Sequence, residues 1–435
     1  MIGVVGDDIT GSNDIGIMFG NSNYTVNVYS YENGMNLPEQ NADVVVLDTD
    51  SRFDAESDAY KKVFGATKTL QKLGVQQFFN KTCSVFRGNI GAEFDAMLDA
   101  LDEDFAVIVL GFPKNGRKTI NGNHYVHDRL LEESEFRNDP VHPMKHSNLV
   151  DILQAQTKRK VSNVNLDIVR KGPEVLRKEL FERKKDNNYV IVDVEGQQDL
   201  QTIAQAVHDF KVLAGSSALA EELPKVKGQK EEKEIPKTWP TFIPNKGLFC
   251  AAGSLMPQTA DQVLFMKEKG AIVLELSSLE LLKNGKDVVK QKLCKQAIES
   301  INSGEDVILH SSHNAAVVKE TKERALEQGM SNLEISRLVS QTIAEITDTV
   351  IRETGQKRFV IAGGDTSAAV CRVLGINGMR VWKEIQPGIP SCLSLTKDPI
   401  LFVLKSGSFG KADFFEKAFT HLRNQLVRLG EVQPR

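Results

Sequence analysis

Short apolar runs alternate with amphipathic, helix-length segments along this sequence, and that alternation leaves few folds open. The runs IGVVG (2–6), YTVNVYS (24–30), DVVVLDT (43–49), QQFFN (76–80), FAVIVLG (105–111) and YVIVDV (189–194) are strand-sized and rich in β-branched and aromatic residues. Stretches with helical spacing lie between them, among them DAYKKVFGATKTLQKLG, EFDAMLDALDE and PEVLRKELFERKK (173–185). Strand and helix in turn predict a mostly parallel sheet covered by helices. The pattern stops at KVKGQKEEKEIPK (225–237), which holds five Lys and three Glu and precedes the proline-bearing WPTFIP. This composition predicts a solvated linker. Beyond it the alternation resumes with GLFCAAG (247–253), AIVLEL (271–276), DVILHS (306–311), RFVIAGG (358–364) and ILFVLKSG (400–407). A chain of 435 residues is too long for one ordinary core. The expected architecture is therefore α/β with two domains, 1–222 and 247–435, each a mostly parallel sheet flanked by helices and joined by a charged linker at 223–246.

Composition excludes several roles. The formal net charge is -4 with no strongly basic block, so neither a nucleic-acid partner nor a membrane surface has electrostatic support. The start, MIGVVGDD, lacks the basic region of a signal peptide, and no apolar stretch reaches transmembrane length. A cytoplasmic protein is expected. Cys83, Cys250, Cys294, Cys371 and Cys392 form no CxxC pair and are odd in number, which favours buried thiols over disulfides or zinc. His124, His127, His142 and His146 are read as loop histidines rather than metal ligands. His310, followed by Ser311, Ser312 and His313, is read as structural.

Chemistry gathers where the strands end. IGVVGDDITG places Asp7 and Asp8 after the first strand, with Thr10 and Gly11 opening a helix. Adjacent carboxylates there suit a general base or a polyol-binding pair; helix capping is the competing reading. VVVLDTDSRF leads into Asp48, Asp50, Ser51 and Arg52. FFNKTCSVFRGNIG brings Lys81, Ser84, Arg87, Gly88 and Asn89, and VLGFPKNGRKTINGNHYV brings Arg117, Thr119 and Gly122. Cations for a carboxylate and carboxylates for hydroxyls would fit an anionic, hydroxylated small molecule.

In the second half, IAGGDTSAAV sets Gly363, Gly364, Asp365, Thr366 and Ser367 between a strand and a helix predicted to start near Thr366 or Ser367. Glycines let an anion approach a helix N-terminus, and hydroxyls and an Asp suit phosphate oxygens or Mg²⁺. A glycine turn with an Asp365 or Thr366 cap is the alternative. Gly253 and Ser254 end one further strand, and Lys405, Ser406, Gly407, Ser408 and Gly410 follow another. Ligands sit at the carboxyl ends of parallel strands, so three such ends are expected to converge on a phosphate. Neither GxxxxGK[ST] nor GxGxxG is present, so the site is neither a P-loop nor a standard dinucleotide site.

Taken in order, these motifs resemble the four-carbon acid sugar kinase family. Asp7, Asp8, Thr10 and Gly11 match its opening pattern, and Lys81, Ser84, Arg87, Gly88 and Asn89 match its second signature. Gly363–Ser367, the Pro387–Pro390 turn, Leu404–Gly410 and Asp413-Phe414-Phe415 match its carboxyl-terminal domain, and NDPVHPMKHSNLVDILQAQT (138–157) matches a segment between them. The resemblance runs to about residue 415, the linker excepted. It implies an ATP-dependent kinase acting on the terminal hydroxyl of a four-carbon sugar acid such as threonate, erythronate or 3-oxo-tetronate. The first domain would hold the acid, the second ATP, and the cleft between them would be the site. It implies Asp8 as proton acceptor with Asp7 as the alternative. Asp8, Arg52, Lys81, Cys83, Ser84, Arg87 and Arg117 would bind substrate. Ser254, Gly363, Gly364, Asp365, Thr366, Ser367, Gly407, Ser408 and Gly410 would bind nucleotide, with Asp365 reaching Mg²⁺. A homodimer is the default for a soluble enzyme. The family usually has Asp-Ser-Thr where this chain has Cys83-Ser84-Val85. That departure keeps open an unusual substrate, an impaired site or a non-catalytic sugar-acid and nucleotide binder. Another sugar-acid enzyme is the further alternative.

Overall fold

The computed structural model describes residues 1–38, 41–139, 141–231, 239–240, 243–312 and 314–425. It separates into two compact units, Met1–Glu234 and Ile235–Arg435. His313 and linker residues 232–238 lie outside the described residues.

The first unit contains β1 (Ile2–Gly6), β2 (Val26–Ser30), β3 (Val44–Asp48), β4 (Gln77–Lys81), β5 (Ala106–Val109), β6 (Arg117–Ile120), β7 (Asn123–Val126), β8 (Arg129–Leu130), β9 (Val161–Val164), β10 (Tyr189–Val192) and β11 (Val212–Gly215). Its main sheet runs β2–β3–β1–β4–β11–β5–β10–β9, with every neighbouring pair parallel. Val44, Val45, Val46 and Leu47 of β3 are all fully buried, as expected of a strand covered on both faces. The chain leaves β1 toward β2 and β3 on one side and reaches β4 on the other, so β1 sits where the strand order reverses. Ligands bind at the carboxyl ends of strands at such a switch point.

The short antiparallel sheet β6–β7–β8 was not foreseen, nor were β9 and β11. Each offers four residues or fewer of pattern, too little for periodicity to register. The stretch expected as linker from 223 opens on helical residues. Helix Leu219–Lys227 continues into it, with Leu223 and Pro224 buried and Lys225 and Lys227 in its last turn, where cations oppose the negative dipole end.

The second unit contains β12 (Phe249–Ala252), β13 (Ile272–Leu276), β14 (Val307–Ser311), β15 (Arg358–Ala362), β16 (Gly378–Gln386), β17 (Ile389–Ser394) and β18 (Leu401–Lys405). Parallel strands β13–β14–β12–β15–β18 are extended by β17 and β16 in antiparallel pairing. The Pro387–Pro390 turn joins β16 to β17, with Gly388 at φ 76. The strand order reverses at β12 and β15, the same device as in the first unit. No helix among the described residues is long and apolar enough to cross a membrane.

Candidate functional site

In the first unit, register places three strand ends together. Gly6 aligns with Asp48 of β3 and with Lys81 of β4. Asp7 and Asp8 therefore emerge between the Asp48–Arg52 segment and Lys81. Arg52 joins the two acids. Its Nε and Nη2 donate to the Asp7 oxygens at 2.8 Å each, and its Nη1 donates to Asp8 Oδ2 at 2.8 Å. Backbone N–H groups of Ser51 and Arg52 also donate to Asp7 O, locking the loop onto β1. The Asp7 side chain is 1% exposed with both oxygens taken by Arg52, whereas that of Asp8 is 11% exposed. Asp8 is thus the less buried of the two carboxylates.

Asp8 also caps the helix Ile9–Gly20. Its Oδ1 accepts from Gly11 N at 2.8 Å, and Thr10 Oγ1 donates to Oδ2 at 2.8 Å. The capping reading therefore holds for this side chain. Burial works to raise the Asp8 pKa, but Arg52 and Lys81 overcome it and hold the group below the ordinary value. A Cβ on Gly11 would lie 2.6 Å from Asp8 Oδ1 and 2.8 Å from Lys81 Nζ, so a side chain there would displace one or both groups. Lys81 Nζ donates to Thr82 O at 2.9 Å and lies 3.9 Å from Asp14 Oδ2, to which Ser217 Oγ donates at 2.7 Å.

Cys83 and Arg87 adjoin this cluster. Arg87 Nε donates to Cys83 Sγ at 3.4 Å, and Arg87 Nη1 donates to Asp139 Oδ2 at 2.5 Å. Burial raises the Cys83 thiol pKa, but Arg87 and then Arg52 outweigh it and draw the value down. Val85 is fully buried, so the departure there is a packing change, while Cys83 faces cations. Ser84 is buried beside them. Arg117 is buried at the start of β6, where desolvation lowers its pKa, and its Nη1 donates to Asn115 O. His124 pairs with Thr119 Oγ1 at 3.1 Å, and burial holds its pKa down at about 3. His142 Nε2 lies 3.1 Å from Arg52 O, and its ring stacks on Phe53. No cluster of three metal-ligating side chains occurs among the described residues.

Four residues in this network were not foreseen as site residues: Asp14, Glu93, Asp139 and Ser217. Only Asp139 carried a signal, the motif at 138–157. Glu93 accepts from Ser51 Oγ at 2.6 Å, and Ser51 pairs with Thr49 Oγ1 at 2.8 Å. Burial, then the neighbouring Asp7, pushes the Glu93 pKa up to about 8. The unfolded chain releases that proton near pH 4.5 and the folded chain near pH 8, so Glu93 lowers stability as pH rises through this window. Glu93→Gln should flatten the fall in Tm between pH 5 and pH 8 relative to wild type. Identical slopes by calorimetry would remove Glu93 from the pH response.

In the second unit, β12, β15 and β18 are adjacent, with Ala252 aligned to Ala362 and Ala362 to Lys405. A Cβ on Gly407 would lie 2.1 Å from Ser254 Oγ, and one on Gly363 would lie 3.3 Å from Ser254 N. Ser254, Gly363 and Gly407 thus meet at one point. The helix begins at Gly364, two or three residues earlier than predicted. Gly363 at φ 118 lets the strand end turn straight into it. Gly364 and Asp365 therefore belong to the first turn, where an acid complements the dipole. Asp365 is exposed, with Ser336 Oγ 3.5 Å from its Oδ2. Thr366 and Ser367 are buried, and Thr366 Oγ1 would lie 2.0 Å from a Cβ on Gly253. Ser408 and Gly410 sit partly exposed on the loop after β18. All five cysteines are buried.

Residues 2–223 match the family of sugar-binding N-terminal domains, and residues 249–415 match the family of nucleotide-binding C-terminal domains. A 3-oxo-tetronate kinase of Pseudomonas savastanoi pv. phaseolicola is 33% identical over 433 residues, covering 97% of each chain. One from Haemophilus influenzae is 33% identical over 428 residues, covering 96% of this chain and 99% of the relative. The crystal structure of a Haemophilus influenzae protein superposes with a TM-score of 0.71 at 30% identity, covering 97% of this chain and 100% of that one. These relationships make the chain an α/β kinase of sugar acids built from two family domains. It belongs to the four-carbon acid sugar kinase family.

Proposed function

We propose that this kinase transfers the γ-phosphoryl group of ATP to the terminal hydroxyl of a four-carbon acid, with a 3-oxo-tetronate as first candidate and D-threonate and D-erythronate as alternatives. The Asp7–Asp8–Arg52–Lys81 cluster carries this reading, and the names of the relatives point to the 3-oxo acid. Arg52 has five N–H donors; with Nη2 also 2.8 Å from Asp8 Oδ1, four of them face the two aspartates, which leaves one for a substrate carboxylate. Lys81 supplies the second cation, with Cys83, Ser84, Arg87 and Arg117 shaping the pocket behind it.

Phosphoryl transfer asks mainly for positioning and charge stabilisation. The substrate hydroxyl attacks the γ-phosphorus, the bond to the β,γ-bridging oxygen breaks, and ADP leaves with that electron pair. Asp8 orients the hydroxyl and accepts its proton. A carboxylate with a depressed pKa suits this role where proton transfer is late. Ser254, the helix start at Gly363–Gly364 and the loop 407–410 hold the phosphates through backbone N–H groups and one hydroxyl. The buried hydroxyls of Thr366 and Ser367 shape the turn beneath. Asp365 fits a Mg²⁺ that takes its remaining ligands from phosphate and water. Such an ion would neutralise phosphate charge. The linker bounds at 223–246 and a homodimer belong to the same proposal; limited proteolysis tests the first and light scattering the second.

A coupled ADP-release assay with ATP, Mg²⁺ and the three acids tests the reading. Turnover with a 3-oxo-tetronate is expected, and no turnover with any of the acids despite measurable ATP binding would sink it. Gly407→Ala should raise the KM for ATP at least about tenfold, because the added Cβ displaces Ser254 Oγ, while leaving the KM for the acid near its wild-type value. An unchanged KM for ATP would remove this loop from the nucleotide site.

A further inference from the structure

The loop after β18 is organised from behind. Lys405 Nζ is fully buried and lies 2.9 Å from Ser406 O, 3.0 Å from Gly407 O, 3.1 Å from Phe409 O and 3.0 Å from Thr259 Oγ1. Thr259 Oγ1 in turn donates to Gly407 O at 2.9 Å. Gln262 Nε2 lies 3.1 Å from Phe409 O, 3.0 Å from Gly410 O and 3.1 Å from Lys411 O. Thr259 and Gln262 lie one turn apart on helix Pro257–Glu268, so both reach the loop from one face.

In a trans peptide the C=O of one residue and the N–H of the next point in opposite directions. Carbonyls of Ser406, Gly407, Phe409 and Gly410 drawn inward therefore turn the N–H groups of Gly407, Ser408, Gly410 and Lys411 outward. The hydrogen bonds agree. Lys411 N donates to Gln386 Oε1 at 2.9 Å, and among the described residues the N–H groups of Gly407, Ser408 and Gly410 find no acceptor. A run of outward N–H groups is an anion-binding concavity.

We infer that Lys405, Thr259 and Gln262 are positioning residues that hold this loop carbonyl-side in, so that the N–H groups of Gly407, Ser408 and Gly410 face the phosphates of a bound nucleotide. The inference rests on the nucleotide reading above. It gives the buried lysine a task other than touching the ligand. Its Nζ is surrounded by four protein oxygens.

Titration of ADP with Mg²⁺ into wild type, Lys405→Met, Thr259→Val and Gln262→Leu tests this. Lys405→Met should bind ADP roughly 10²-fold more weakly, the penalty for displacing a binding element by about 1 Å. Gln262→Leu and Thr259→Val should each weaken binding at least about threefold, and the KM for the sugar acid should hold in all three. Amide resonances of Gly407, Ser408 and Gly410 should shift on ADP addition in wild type. If Lys405→Met does not fold, the other two variants and the amide shifts carry the test. Wild-type ADP binding with all folded variants within twofold of it would overturn the inference alone. Failure of wild type to bind ADP would overturn the nucleotide reading and the inference with it.

Discussion

Asp8→Asn should lower kcat by about 10²- to 10⁴-fold, the usual worth of a positioned proton acceptor, and change stability by only about 1 kcal/mol. The two effects separate because capping and proton acceptance ask different things of one side chain. Asparagine is as good a helix cap as aspartate, so its Oδ1 can still accept from Gly11 N. The amide can accept no proton, and its NH₂ would meet Arg52 Nη1 donor to donor. Arg52 keeps its bidentate hold on Asp7, so the loop after β3 stays in place. The measurement is kcat by ADP release beside a thermal melt. A variant with wild-type kcat would remove Asp8 from the reaction. A variant that melts far lower would mean that its charge chiefly holds Arg52 in the fold.

Arg52→Met should be the most damaging single change in the first unit, destabilising by about 3–5 kcal/mol and abolishing turnover. Asp7 and Asp8 are buried, and Arg52 supplies the paired hydrogen bonds that make their charges tolerable there. Without it, two carboxylates are left close together with Lys81 as the remaining nearby cation. Part of the cost should return when one carboxylate is neutralised. Arg52→Met with Asp7→Asn should therefore be more stable than the sum of the two single changes predicts, with a coupling of about 1–3 kcal/mol. Additive effects in urea unfolding would show that the three groups do not act as a unit. Arg52→Lys should fold better than Arg52→Met yet still lose most turnover, because an ammonium cannot span Asp7, Asp8 and a substrate at once.

The departure at Cys83 and Val85 takes a different meaning in three dimensions. Val85 lies in the core, so a hydroxyl there would need a partner that a valine does not. Cys83 is held by Arg87, which is itself anchored by Asp139. The residue types at 83 and 85 are plain in the sequence, but which of them meets Arg52 and Arg87 is not.

Strand ends were legible because their signals are local. IGVVG before Asp7-Asp8, VVVLD before Arg52 and LFVLK before Ser406 each pair an apolar run with a turn, and parallel sheets gather such ends on one edge. The approach of Ser254, Gly363 and Gly407 could be expected on those grounds. The helix starts at Gly364 and not near Thr366 because Gly363 and Gly364 look alike in the sequence, and only the positive φ of Gly363 separates cap from helix. The sequence by itself determined which chemical groups stand at the strand ends, since turn chemistry and periodicity act over a few residues. Only the tertiary structure decided which way those groups point. Arg52 grips Asp7 across 45 residues, Arg87 grips Asp139 across 52, and Lys405 reaches Thr259 across 146. Side-chain direction is set by such distant partners, and no local pattern encodes it.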